Sequence, residues 1–223
     1  MAHATNSQRH SEPDAARRDA SLQHLVAEVL ADCQVDEAFS DLIAAYIDRW
    51  FGGGDGPSPI TLLPVLTCAA AGGEPLRAMP LCAAWALVRL AAKLLDDVED
   101  GDLAEGQARQ INASTGVLAL AHLAVHALES RGVPASRVHH IDIALSRAVL
   151  RAAGGQHRDL GAMTAPETVD PDTWLAIAQA KSGDLFAWAA WAGAAVAPSA
   201  RLGGPRLEGY RGYGEHLGVL LQI

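Results

Sequence analysis

Leu90-Ala91-Ala92-Lys93-Leu94-Leu95-Asp96-Asp97-Val98-Glu99-Asp100 is an apolar helical stretch whose last five positions hold four acids. Carboxylates at a helix C-terminus face the negative end of the macrodipole and repel one another, a cost of about 1 kcal/mol. A compensating cation is therefore expected. Asp96 and Asp100 are one turn apart, so both side chains leave one face about 6 Å from each other. That spacing suits a hard divalent cation such as Mg2+, which takes carboxylate, water and phosphate oxygens. The plainer reading is a solvated acidic helix end; the apolar body of the helix weighs against it.

Outward from this stretch, helix follows helix. Leu22, Leu25, Val26, Val29 and Leu30 recur at three and four from Ser21 onward, and Asp36 to Phe51 repeats the pattern until the Gly52–Pro57 loop stops it. Ile60 to Ala71, Met79 to Val98, Gln107 to Ser130, Ser136 to Leu160, Pro171 to Ala197 and Leu207 onward bring the expectation to roughly eight helices. Period-two alternation is absent. Hydrophobic residues make up 50% of the 223 positions and charged residues 19%, with Ala and Leu outweighing the β-branched types, which excludes disorder and an all-β fold. The expected architecture is all-α, an orthogonal helix bundle around a central cavity over residues 21–223, behind a flexible tail at 1–20.

Charge narrows the partners. Lys and Arg number 17 against 26 Asp and Glu, a net charge of −9, so nucleic acid and anionic membrane are not attracted and a phosphorylated ligand needs a few placed cations or a metal. Cys33, Cys68 and Cys82 are odd in number and lack a C-x-x-C pair, which gives neither a disulfide framework nor a zinc site. They read as reduced thiols of a cytoplasmic protein. Met1 to Asp19 carries no apolar signal core. Leu185 to Ala197, the longest apolar run, falls short of the ~20 residues of a membrane span and reads as a core helix.

With these residues in view, the chain resembles the trans-isoprenyl diphosphate synthases, the polyprenyl synthetase branch of the class I terpenoid synthases. Leu94 to Asp100 resembles the family's first aspartate-rich motif; the resemblance implies Mg2+ on Asp96, Asp97 and Asp100, and through it an allylic isoprenyl diphosphate. Gly155-Gln156-His157-Arg158-Asp159-Leu160 is similar to a G-Q-x-x-D-L element facing the same cavity. Lys181-Ser182-Gly183-Asp184-Leu185-Phe186 resembles K-T-G-x-L-F, whose Lys contacts the diphosphate. Leu217 to Ile223, with Gln222, is similar to the run leading into the second aspartate-rich motif. The resemblance implies Asp96, Asp100 and Lys181 as catalytic groups, Gln156, Asp159, Lys181, Ser182 and Gln222 as substrate-binding groups, and a homodimer or a heterodimer with a related synthase. A diphosphate cannot sit beside four carboxylates without metal between them, and the carbocation left by its departure needs a dry cavity.

Departures from the pattern are equally specific. No acid follows Glu215, so the second aspartate-rich motif is missing and a truncated product is expected. Gly53-Gly54-Asp55-Gly56-Pro57-Ser58-Pro59 carries no cation where the family grips isopentenyl diphosphate, and Asp102 to Gln107 lacks the usual arginine pair, with only Arg109 nearby. Arg89 stands where chain-elongating members often have His; it reads as a replacement phosphate ligand or as a partner of a carboxylate on a neighbouring helix. Ala91 and Ala92 occupy positions of product-length control, and two small residues leave the pocket open to a long chain. Trp85, Trp188 and Trp191 read as packing groups before cation-stabilising ones. His122 with His126, and His139 with His140, read as ordinary helix faces.

The function expected from sequence is a Mg2+-dependent prenyltransferase acting on an allylic diphosphate. A terpene synthase or a peptide prenyltransferase is the second form, and a non-catalytic subunit paired with an active synthase is the answer of a different class. Asp96 and Asp100 are expected to share a cavity with Asp159 and Lys181.

Overall fold

The structure, a computed structural model, describes residues 12–51, 58–101, 106–164 and 169–222, with side chains from Leu22 onward. No strand occurs among the described residues. The helices are α1 (Glu12–Asp32), α2 (Glu37–Phe51), α3 (Leu63–Ala70), α4 (Met79–Glu99), α5 (Gln107–His126), α6 (Ala135–Thr164), α7 (Pro171–Ala178), α8 (Asp184–Ala195) and α9 (Pro205–Leu220). The chain divides into two compact units, Met1–Leu62 with Cys82–Ala124 and Leu63–Leu81 with Val125–Ile223.

The first unit holds α1, α2, most of α4 and most of α5. Leu22, Val26 and Leu30 of α1 and Ile43 and Ile47 of α2 are buried, as their three–four spacing requires. α4 is buried on nearly every side from Leu81 to Val88. Its Trp85 is fully buried and donates its indole N–H to the Ile60 carbonyl at 2.8 Å, so the ring packs with its one polar atom satisfied. Two buried polar residues of α5 fasten α4: Gln110 donates to the Leu94 carbonyl at 2.9 Å and Ser114 to the Ala91 carbonyl at 2.9 Å. By length and composition Pro75–Glu99 and Gln107–Arg131 are apolar enough to cross a membrane, but 78% of the first window is buried inside the protein, as in a core helix.

α8 forms the centre of the second unit, every residue from Leu185 to Ala195 being buried. It packs against α3, α6 and α9. Helix backbones approach closely where glycine removes the side chain: a Cβ on Gly193 would stand 2.2 Å from the Pro64 carbonyl oxygen, and one on Gly214 2.3 Å from that of Phe186. Trp188, 1% exposed, donates to the Ile141 carbonyl at 3.1 Å. Arg137 closes the end of α8, donating to the carbonyls of Ala195 and Ala197 at 3.2 Å each and of Ala200 at 3.1 Å, and so supplying cationic partners where the helix leaves its last acceptors unpaired.

Three differences from the sequence reading have physical causes. α1 starts at Glu12, inside the stretch read as a tail, because Pro13, Asp14 and the following Ala and Arg residues favour a helix start without showing apolar periodicity. The Gln107–Ser130 segment stops being α-helical at His126 and continues as a short 3-10 turn, Glu129–Arg131, closed by Gly132 at φ +73°. The stretch Pro171–Ala197 is broken in its middle at Gln179–Gly183.

Burial, and then the charge of Glu74, push the Cys68 thiol above its usual pKa, while Cys33 is only half-buried. Replacing Arg137 with Leu should lower unfolding stability by about 3 kcal/mol, since three buried-end carbonyls lose a charged donor together. Urea denaturation followed by circular dichroism measures it.

Candidate functional site

The acidic end of α4 is built by the helix itself. Asp100 donates its backbone N–H to the Asp96 carbonyl at 2.8 Å, completing the last turn, and Gly101 at φ +74° ends it. Asp96 and Asp97 are half-buried and Asp100 is exposed. Lys93, one turn before Asp97, forms a close ion pair with it. Lys93 thus supplies part of the compensation this helix end requires, on Asp97. The donor chemistry suits a hard divalent cation. Among the described residues no group of three or more His, Cys, Asp or Glu side chains is arranged to hold a metal alone. Asp96 and Asp100 would therefore hold such an ion as a pair, with water and ligand oxygens completing it.

Two turns earlier, Arg89 lies with its guanidinium carbon 5.4 Å from the Trp50 ring centroid and 5.7 Å from that of Trp85, and donates to the Thr61 hydroxyl at 3.4 Å. Burial pushes its pKa below the usual guanidinium value. Among the described residues no carboxylate pairs with it. The indole faces take that place. Trp50 was not singled out from sequence, and its one signal was its position at the end of α2, just before the glycine loop.

In the second unit the site is a wide turn. Gln179–Gly183 forms one turn of π-helix between α7 and α8, with the Asp184 N–H reaching back to the Gln179 carbonyl. It carries Lys181 and Ser182. Lys181 Nζ lies 2.8 Å from Asp159 Oδ2 of α6, the two side chains 24% and 33% exposed. Ser182 accepts a hydrogen bond at 2.7 Å from the Gln222 side-chain amide, beyond the end of α9. Arg151 Nε lies 2.9 Å from Asp184 Oδ2.

Arg151, Gly155 and Asp159 form a stripe on α6 at four-residue spacing, and all three meet the turn or its immediate continuation. Gly155 is the middle contact: a Cβ there would stand 2.5 Å from the Lys181 backbone nitrogen. On the opposite side a Cβ on Gly218 of α9 would come 2.9 Å from the Ser182 carbonyl oxygen. Gln156, the next residue on α6, is half-buried. Sequence reading singled out Gln156, Asp159, Lys181, Ser182 and Gln222 as candidates but not Arg151 and Gly218, which also meet the turn or its continuation. Their signal was available only as the four-residue spacing from Gly155 and from Gly214.

Other expectations resolve simply. His126 sits between Glu129 and Asp142, 3.8 Å and 3.7 Å away, and the His139 and His140 rings meet edge to face at 6.3 Å. Trp191 lies under Arg211, 4.9 Å from its ring centroid. Gly53 to Pro57 of the glycine loop, including Asp55, and Asp102 to Glu105 lie outside the described residues.

The paired glycines of α6 give a test. Gly154→Ala meets nothing within 4 Å, whereas Gly155→Ala drives a methyl into the wide turn. The first should raise stability by about 0.5–1 kcal/mol through backbone entropy, and the second should lower it by about 1–3 kcal/mol through overpacking. Thermal melts of the two variants should therefore move in opposite directions.

No protein-family model matches the sequence, and no curated protein matches it. Solved structures do. A polyprenyl synthetase from Streptomyces coelicolor A3(2) superposes with a TM-score of 0.73 at 21% identity, covering 93% of this chain and 63% of that one. A polyprenyl synthase from Caulobacter crescentus CB15, complexed with calcium and isoprenyl diphosphate, gives 0.71 at 25% identity over 92% of this chain and 60% of that one. The heterotetrameric geranyl pyrophosphate synthase of mint, as a deletion mutant with ligands, gives 0.70 at 18% identity over 93% and 80%. This chain thus spans about 63% of the length of the Streptomyces protein. The family resemblance carried by the motifs and the backbone likeness agree, and the chain has the all-α isoprenoid-synthase fold shared by these polyprenyl and geranyl diphosphate synthases.

Proposed function

We propose that this chain is a prenyltransferase of isoprenoid biosynthesis, cytoplasmic and Mg2+-dependent, that binds an allylic isoprenyl diphosphate through its acidic helix end. The observation that carries the reading is the pair Asp96 and Asp100, one turn apart at the C-terminus of α4, two hard oxygen donors on one face whose spacing suits a divalent cation. Fold likeness to diphosphate synthases supports it.

A bound Mg2+ supplies Lewis-acid stabilisation of the departing diphosphate oxygens. Asp96 and Asp100 anchor that ion from the protein side. Lys181 brings a positive charge whose position Asp159 and the glycine-backed turn set within narrow limits, and a preorganised charge stabilises a leaving group without the reorganisation water would require. Ser182 and Gln222 hold each other and present a hydroxyl and an amide beside it. Gln156 completes the polar set on α6. A protomer pairing with a second copy or with a related synthase belongs to the same reading; the mint protein is one heteromeric example of the fold.

Calorimetry tests the metal end. Mg2+ alone should bind weakly, and a non-hydrolysable allylic diphosphate analogue should strengthen it, because phosphate oxygens complete the coordination. The double variant Asp96→Ala/Asp100→Ala should abolish that gain; equal Mg2+ affinity in both proteins with analogue present would sink the site.

A second outcome concerns the nucleophile. Asp55 stands in the glycine loop where the resemblance calls for a cation, and a carboxylate repels a diphosphate where a cation would attract it. Isopentenyl diphosphate should therefore be a poor substrate or none. Incubation with geranyl diphosphate, Mg2+ and isopentenyl diphosphate, read by mass spectrometry, should show no elongated diphosphate.

A further inference from the structure

At the end of α8 remote from the wide turn, the second unit encloses a cavity of about 200 Å3. Ala194, which lines it, lies about 15 Å along the helix axis from Asp184. Ala200 and Leu207 add apolar wall, and the charged groups are Arg201 and Arg206. No Asp or Glu lines the cavity. In a chain of net charge −9 this is a local reversal of sign.

The two arginines are brought to one rim by the turn between α8 and α9. Gly203 takes φ +76° and the Gly204 N–H donates to the Arg201 carbonyl at 3.0 Å, so the chain doubles back before Arg206. Their charge is largely unspent within the fold. Arg206 stands in the first turn of α9, at the end of the macrodipole that disfavours a cation, and its guanidinium donates to the Ala70 carbonyl at 3.3 Å. Among the described residues no acceptor takes a hydrogen bond from the exposed Arg201 side chain. Glu208, the acid of this helix turn, is engaged by Arg211 at 3.2 Å.

Charge and shape together select a ligand. Two cations without an acid between them balance a dianion: a carboxylate leaves one of them uncompensated, whereas a phosphate monoester carries about −1.5 to −2 at neutral pH and accepts guanidinium forks. The apolar walls select further. A volume of about 200 Å3 holds about seven groups of water size at ~30 Å3 each, room for a branched chain of about five carbons below a phosphate at the rim. Inorganic phosphate leaves those walls wet, and an uncharged alcohol leaves the arginines unanswered.

We propose that this cavity is a second ligand site, separate from the groups around Lys181, that binds the phosphate monoester of a short apolar alcohol. Arg201 and Arg206 take the phosphate, and Ala194, Ala200 and Leu207 take the hydrocarbon.

Titration calorimetry of the full chain with isopentyl phosphate, inorganic phosphate and isocaproate tests it, in metal-free buffer so that the carboxylates of α4 repel all three. Isopentyl phosphate should bind at least about tenfold tighter than inorganic phosphate, through its buried chain, and at least about tenfold tighter than isocaproate, through its second charge. Arg201→Ala/Arg206→Ala should weaken the ester at least about tenfold. Ala200→Leu fills the apolar part and keeps both arginines, so it should bring the ester down to the affinity of inorganic phosphate. Arg201→Gln alters one exposed side chain that holds nothing else in place, and unchanged circular dichroism with ester binding weakened about threefold or more is expected of it. Equal affinity of wild type for the ester and inorganic phosphate overturns the proposal, as do equal affinity for the ester and isocaproate, absence of ester binding, or folded Arg201→Gln that binds the ester as wild type does.

Discussion

Backbone meets backbone at the wide turn Gln179–Gly183, and the arrangement of the second unit follows from that contact. Gly155 on α6 and Gly218 on α9 remove the side chains that would hold their helices several ångströms away, so the turn is pressed from both sides. A π turn in isolation trades good hydrogen-bond geometry for poorer geometry. Here it is over-determined by two ion pairs, Arg151 with Asp184 and Lys181 with Asp159, and by the bond from Gln222 to Ser182. The result is a lysine whose backbone is fixed by the pressed turn and whose ammonium is paired with Asp159, so its charge is positioned by more than its own flexible stem.

The first unit solves a different problem. α4 is an apolar core helix that must end in carboxylates, two demands that oppose each other at one helix terminus. Gln110 and Ser114 tie the Leu94 and Ala91 carbonyls to α5 within about one and a half turns of Asp96, and Lys93 offsets part of the charge on Asp97. Asp96 and Asp100 are left one turn apart on a helix that is held rigidly behind them. Below them the same face carries a cation that is stacked on indole rings instead of paired with a carboxylate, a choice that keeps Arg89 charged in a partly dry place.

Much of this was legible in the residues alone. Three–four apolar spacing, glycine and proline breaks and the absence of period-two alternation determined an all-α chain, because helical periodicity is a local property of side-chain order. The motifs around Asp96, Gly155 and Lys181 singled out candidate residues for the proposed chemistry, because a carboxylate pair or a lysine keeps its type wherever the chain takes it. Tertiary structure decided the rest. Whether Pro171 to Ala197 is one helix or two depends on Gly155 and Gly218 pressing on its middle, and a helix periodicity cannot register an inserted residue whose stabilising contacts come from 20 to 40 positions away. Arg89 was ambiguous for the same reason. Its residue type allows a phosphate, a carboxylate or an aromatic partner, and only the packing of α2 and the Thr61 segment against α4 selected the indole faces of Trp50 and Trp85.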